Sequence, residues 1–155
     1  MTFRGILWTV AALAAVAALG AAAWVRLAPM DPGVWHVRPD PDLRSPRPND
    51  AFAGPGGDVA APVLPMAPAD ALARLDAVAL AEPRTVRLAG GPEAGFVTYV
   101  QRSGLMGYPD AISVLATPEG EGTRLTMWSR SRYGHSDLGV NAARLARWTE
   151  ALTAP

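Results

Sequence analysis

No cysteine occurs in the 155 residues. Disulfides, thiolate metal sites and cysteine nucleophiles are thereby excluded, and redox gives no clue to compartment. Lysine is missing as well. All fourteen basic residues are arginine, and fourteen acidic residues balance them to a formal net charge of zero. A neutral chain lacks the basic excess that non-specific nucleic-acid binding needs, so no nucleic-acid partner is expected. Histidine is scarce: His36 and His135 stand alone, with no H-x-x-x-H spacing. No metal site is expected on that pattern, and nothing in the chain calls for a cofactor. Foldable length is short too. Setting aside a hydrophobic N-terminus and a proline-rich stretch leaves about 85–90 residues, one small domain with a thin core.

What the chain does have begins with a hydrophobic run. Ile6 to Val25 carries no charge and is bounded by Arg4 and Arg26. Twenty helical residues cover about 30 Å, the thickness of a hydrocarbon core. Trp8 and Trp24 fall near the two ends, where membrane interfaces hold aromatic rings. Residues 1–28 therefore read as a single-pass anchor, with the lipid bilayer as partner through residues 6–25. The alternative is a secretory signal cleaved near Ala23, since Ala21-Ala22-Ala23 satisfies an A-x-A site. The run exceeds the roughly 7–15 residue core of such signals, which favours the anchor.

Ten of the fifteen prolines lie between Pro29 and Pro68. Proline fixes φ and biases its predecessor to extended geometry, so residues 29–66 read as an extended arm. A spacer lifting the domain off the bilayer fits that composition. Val34-Trp35-His36-Val37 and Phe52 are apolar anchors that a spacer does not need. Part of the arm is expected to dock on the domain.

Residues 67–155 read as an α+β domain. Pro68–Leu80 has Leu72, Leu75 and Val78 at helical spacing and Asp70 in the first turn, and Pro83 closes it. Thr85–Leu88, Phe96–Arg102, Ala111–Ala116 and Thr123–Tyr133 read as strands, with turn signals between them. A last helix ends near Leu152, with Leu145, Trp148 and Leu152 on one face. The order is helix, four short strands, helix. It predicts an antiparallel sheet of about four strands covered on one face by two helices.

The stretch joining the longest strand to the last helix holds the suggestive residues. His135, Ser136 and Asp137 are triad residue types, but adjacent side chains diverge in an extended chain, so no catalytic residue is assigned. Alternation puts Arg130 and Arg132 in one row with Trp128, about 7 Å apart, and two guanidiniums so close call for an anion. An internal carboxylate such as Asp137 or Asp110, or an external phosphate or carboxylate, would serve. Asp137 and Asn141 are strong N-cap types at a strand-to-helix junction.

Ser129-Arg130-Ser131-Arg132-Tyr133-Gly134-His135-Ser136-Asp137-Leu138-Gly139-Val140-Asn141 resembles the signature of a bacterial family, the domain-of-unknown-function 1499 family. Gly107-Tyr108-Pro109-Asp110 is similar to a loop of that family, and Pro48-Asn49 to its proline–asparagine element. Many members flank that element with cysteines, where this chain has Asp50 and no thiol. The resemblance covers roughly residues 31–152. It implies an envelope-associated bacterial protein and no particular reaction.

The expected function is a membrane-tethered, inner-membrane protein with its domain in the periplasm. That domain is expected to bind an anionic or lipid-like ligand, or a protein partner of unknown kind. The candidate ligand-binding residues are Arg130, Arg132, Asp137, Asn141, Tyr108 and Asp110. One alternative is an enzyme acting on a small or lipid-like substrate with Asp137 as acid–base, which requires Asp137 to face a cavity. Another is a structural subunit of a membrane complex.

Overall fold

A computed structural model describes residues 2–154. The N-terminal helix α1 runs Phe3–Leu27 and buries none of its residues against the rest of the chain. By length and composition it can cross a membrane. Thr2 caps its start by accepting from the Gly5 amide. A one-turn helix, α2 (Pro32–Trp35), follows, with Asp31 as its N-cap and proline at its first position.

Six strands form a single antiparallel sheet. Strands β1 (Asp50–Ala53) and β2 (Val63–Leu64) come first, then helix α3 (Pro68–Ala81). Strands β3 (Thr85–Gly91), β4 (Phe96–Arg102), β5 (Pro109–Glu119) and β6 (Gly122–Ser131) follow, and helix α4 (Val140–Thr153) completes the domain. The sheet order is β1-β6-β5-β4-β3, with β2 also pairing to β6. The expected sheet of about four strands is therefore corrected to six. The two extra strands come from the proline-rich stretch and lie along one edge of β6, Asp50 opposite Arg130 and Val63 opposite Arg124. They are four and two residues long and flanked by Pro and Gly, so they carry too little periodicity to be read as strands in advance. The α+β class and the antiparallel pairing stand as expected.

Alternation along the strands sorts the core. Val97 and Tyr99 of β4, Ile112 and Val114 of β5, and Leu125 and Met127 of β6 join Leu72 and Leu75 of α3 and Leu145, Trp148 and Leu152 of α4 in one buried cluster. Tyr99 meets Trp148 edge-on at 5.7 Å and donates its hydroxyl to Asp76 Oδ1 at 2.9 Å. Burial and that carboxylate push the Tyr99 phenol well above its ordinary pKa.

The opposite face of the sheet meets the arm. Met30 packs with Val100 and Ala111, joined by Trp35 and Leu88. The His36 ring stacks on Phe96 at 4.1 Å, and its Nδ1 lies 2.9 Å from Thr98 Oγ1. The anchors read from the arm are thus in use: Trp35 and His36 dock on the sheet, and Phe52 is buried in β1.

Candidate functional site

The corner between β6 and α4 is built on Arg144, which is 3% exposed. Its Nη2 donates to Asp110 Oδ2 at 2.8 Å, its Nε to Gln101 Oε1 at 2.5 Å, and its Nη1 to Ser129 Oγ and Asn141 Oδ1. The Asn141 amide in turn donates to the Asn49 carbonyl at 3.2 Å and to Ser131 Oγ at 3.0 Å. Asn49 Nδ2 reaches the Gly134 carbonyl at 3.0 Å. This network joins β4, β5, β6, α4 and the residue preceding β1 through one buried cation, and each polar side chain in it has a partner, the condition for tolerating such burial.

Asp137 caps α4 from outside the helix. Its two carboxylate oxygens accept from the Gly139 and Asn141 amides at 2.9 and 3.0 Å. Gly139 occupies the N-cap position itself, in a left-handed conformation at φ 81. Asn141 is not a cap: it lies in the first turn and is fully buried in the Arg144 network. Ser136 Oγ accepts from the Leu138 amide, so Ser136 and Asp137 serve local turns and do not converge with His135.

Arg130 lies on the arm side of the sheet, 9% exposed. Its guanidinium stands 4.0 Å from the Trp128 ring centroid and 5.5 Å from that of Trp35, and its Nη2 donates to the Trp35 carbonyl at 2.5 Å. Burial lowers its pKa to about 10, against the opposing pull of Asp50. Asp50 is engaged elsewhere, accepting from Arg44 and from Trp128 Nε1. Arg132 donates to the Pro29 carbonyl, with Met30 Sδ at 3.8 Å. Among the described residues neither Arg130 nor Arg132 forms an ion pair within 4.0 Å. The expected internal carboxylate is replaced by ring faces and carbonyl oxygens, because the arm covers this row. Asp110, one candidate counter-ion, is taken by Arg144 instead.

Three arginines gather the C-terminal end of α1. Arg102 donates to the Val25, Ala28 and Gly107 carbonyls, Arg132 to that of Pro29, and Arg26 itself to that of Leu105. Cations at the last carbonyls of a helix satisfy orphan acceptors and complement the macrodipole. Two cavities flank this junction. One, of about 550 Å³, has Arg84, Arg102, Arg144 and Arg147 on its wall together with Glu82 and Asp110. The other, of about 540 Å³, is lined by Val25, Tyr108, Tyr133, Leu138 and Val140, with Asp110 and Asp137. Ser103, Asp110 and Val140 belong to both. Burial pushes the Glu82 carboxyl up, but hydrogen bonds from Gln101 and Arg147 outweigh it and hold its pKa below the ordinary value.

Residues 41–152, well over half of the chain, match the family described as protein of unknown function (DUF1499). The chain belongs to that family. No curated protein and no solved structure matches it. The DUF1499 match begins in the proline-rich stretch, ahead of β1, so the matched region takes in all six strands.

Within this DUF1499 chain the six candidate residues divide four ways. Tyr108, Asp110 and Asp137 meet at one cavity. Arg132 lines a neighbouring apolar groove against Gly20, Ala23 and Trp24. Arg130 is on the far face of the sheet, and Asn141 is buried beneath the corner. Sequence reasoning missed Arg144, Arg102 and Arg84. Arg144 had a signal: it follows Asn141 by three and precedes Trp148 by four, on the helix stripe that faces the core. Arg102 and Arg84 had none, since their partners are backbone carbonyls far away in sequence.

Proposed function

We propose that the protein is a single-pass membrane protein of the bacterial envelope whose periplasmic domain binds an anionic, lipid-like ligand. The observation that carries this reading is the pair of adjacent cavities near the end of α1, which share Ser103, Asp110 and Val140 on their walls. Arg144 and Arg147 are matched by Asp110 and Glu82, so Arg84 and Arg102 supply the net positive charge of the first cavity. Their hydrogen bonds go to carbonyls, which leaves both cations without a carboxylate among the described residues. The second cavity, next to it, has aromatic and aliphatic walls. A phosphate-bearing head suits the first and an acyl chain the second, and each volume is typical of a small-molecule site. Arg84 also holds a left-handed backbone at φ 59, the kind of strain that collects at ligand sites.

The membrane part of this reading is supported by α1, which is long and apolar enough to cross a bilayer. Asp137 lines the second cavity, as an acid–base role requires, but backbone amides take both of its oxygens, which counts against that role. Native mass spectrometry of the full chain, extracted in mild detergent, tests the proposal. Mass increments of an anionic phospholipid are expected. Arg84 is exposed and makes no ion pair among the described residues, so Arg84→Glu should keep the fold and lower occupancy on the order of tenfold, equivalent to about 1.4 kcal/mol. Wild-type protein that carries no lipid, or Arg84→Glu that binds as well as wild type, would sink it.

A further inference from the structure

We propose that the domain sits directly on the lipid bilayer, with Leu105, Met106, Tyr108 and Leu138 entering the headgroup region around the end of α1. The proposal rests on α1 as a membrane-spanning helix and is independent of any bound ligand.

Tyr133 and Arg132 line a groove with Gly20, Ala23 and Trp24, residues inside the apolar run of α1. At about 1.5 Å per residue, Gly20 lies some 8 Å before Val25, so these domain residues flank the last turns of the run instead of lying beyond it. Once that run spans a hydrocarbon core, whatever stands beside its last turns is at the interface.

No slack separates α1 from the domain. Arg26 donates to the Leu105 carbonyl, and Arg102 to the Val25 and Ala28 carbonyls. Gly107, at φ 71, lies so close that a Cβ there would come within 2.6 Å of Arg26 Cγ. The arm does not lift the domain away, because it is folded onto the sheet.

Leu105 is 82% and Leu138 93% exposed, each at the tip of a different loop beside α1. Leu138 also holds φ 55, a conformation that L side chains rarely adopt, and no packing within the chain repays it. Trp24, Tyr108 and Tyr133 stand near the same level, the rings Tyr108 and Tyr133 being 6.2 Å apart, and such amphipathic rings favour the membrane–water boundary. Arg26, Arg102 and Arg132 beside them suit a surface carrying anionic lipid.

The cysteine-free chain allows a direct test. Single-cysteine variants Leu105→Cys, Leu138→Cys, Trp24→Cys and Glu121→Cys are labelled with an environment-sensitive fluorophore. The full-length protein is then reconstituted into phosphatidylcholine–phosphatidylglycerol vesicles containing lipid spin-labelled near the headgroup. Glu121 is the control, at the turn between β5 and β6, an eleven-residue strand away from Pro109. Blue-shifted, quenched emission is expected at Leu105, Leu138 and Trp24, and solvent-like emission at Glu121. If Trp24 is quenched while Leu105 and Leu138 behave like Glu121, the helix is inserted and the domain stands clear, which overturns the seating alone. If Trp24 is unquenched as well, the spanning helix itself fails and the seating falls with it.

Discussion

Leu138 shows how one residue can be at odds with its own backbone. A left-handed conformation costs an L-residue about 1–2 kcal/mol, and glycine escapes that penalty at the expense of a freer unfolded chain. With the side chain 93% exposed, the isolated domain gains nothing from leucine there. Leu138→Gly should therefore raise the thermal stability of the domain by about 0.5–1 kcal/mol. Calorimetry checks this, and a loss of stability would mean the leucine makes a contact in solution. Arg130 shows a different compromise. Its cation is taken out of water and repaid by two indole faces and a carbonyl, which pulls its pKa down to about 10 while it remains charged at neutral pH.

At the scale of elements, α4 carries two kinds of burial on one stripe. Its later turns bury Leu145, Trp148 and Leu152, and its first turns bury Asn141 and Arg144. The apolar half is legible as helical periodicity. The polar half is only half legible: spacing puts Arg144 on the same stripe, but a charged residue on a helix is read as solvent-facing until its partner is known. The partner is Asp110, thirty-four residues earlier on β5. Removing the cation strands a buried carboxylate, so Arg144→Ala should destabilise the domain by about 3–5 kcal/mol in denaturant unfolding. A loss below about 1 kcal/mol, the size of a surface pair, would show that water replaces the network. The strand edges teach the same lesson. The long strands β4, β5 and β6 declare themselves by β-branched and aromatic runs, whereas β1 and β2 exist only because the exposed edge of β6 offers them hydrogen-bond partners.

For the whole molecule, the decisive feature is that the stretch between α1 and the domain is structure, not slack. His36 is one of its fastenings. Burial, and secondarily the charge of Arg38, lowers the His36 pKa from its ordinary 6.5. The folded state thus favours the neutral ring, and the unfolded chain takes up a proton first as pH falls. The stability held by this contact is complete above pH 6.5 and is lost as pH falls through the folded-state pKa. Moving from about pH 7.5 to about pH 5.5 should lower the melting temperature of the wild type more than that of His36→Phe, which keeps a ring on Phe96 but binds no proton. Equal losses in the two proteins would remove His36 from the account. Glu82 does not confuse the comparison, because its pKa is held below 4.5 and its contribution is lost only in stronger acid.

The sequence by itself determined the apolar helix, the α+β class, the two helices with their buried faces, and a strand-to-helix corner dense with polar groups. Each is written in local periodicity, caps or turn residues, which depend on neighbours a few positions away. Only the tertiary structure decided which polar residues meet. It gave Asp110 to Arg144, set Arg130 and Arg132 against the arm, and laid Arg102 across the end of α1. The physical reason is that a hydrogen bond or ion pair depends on distance in space, and these partners lie between 34 and 103 positions apart in the chain.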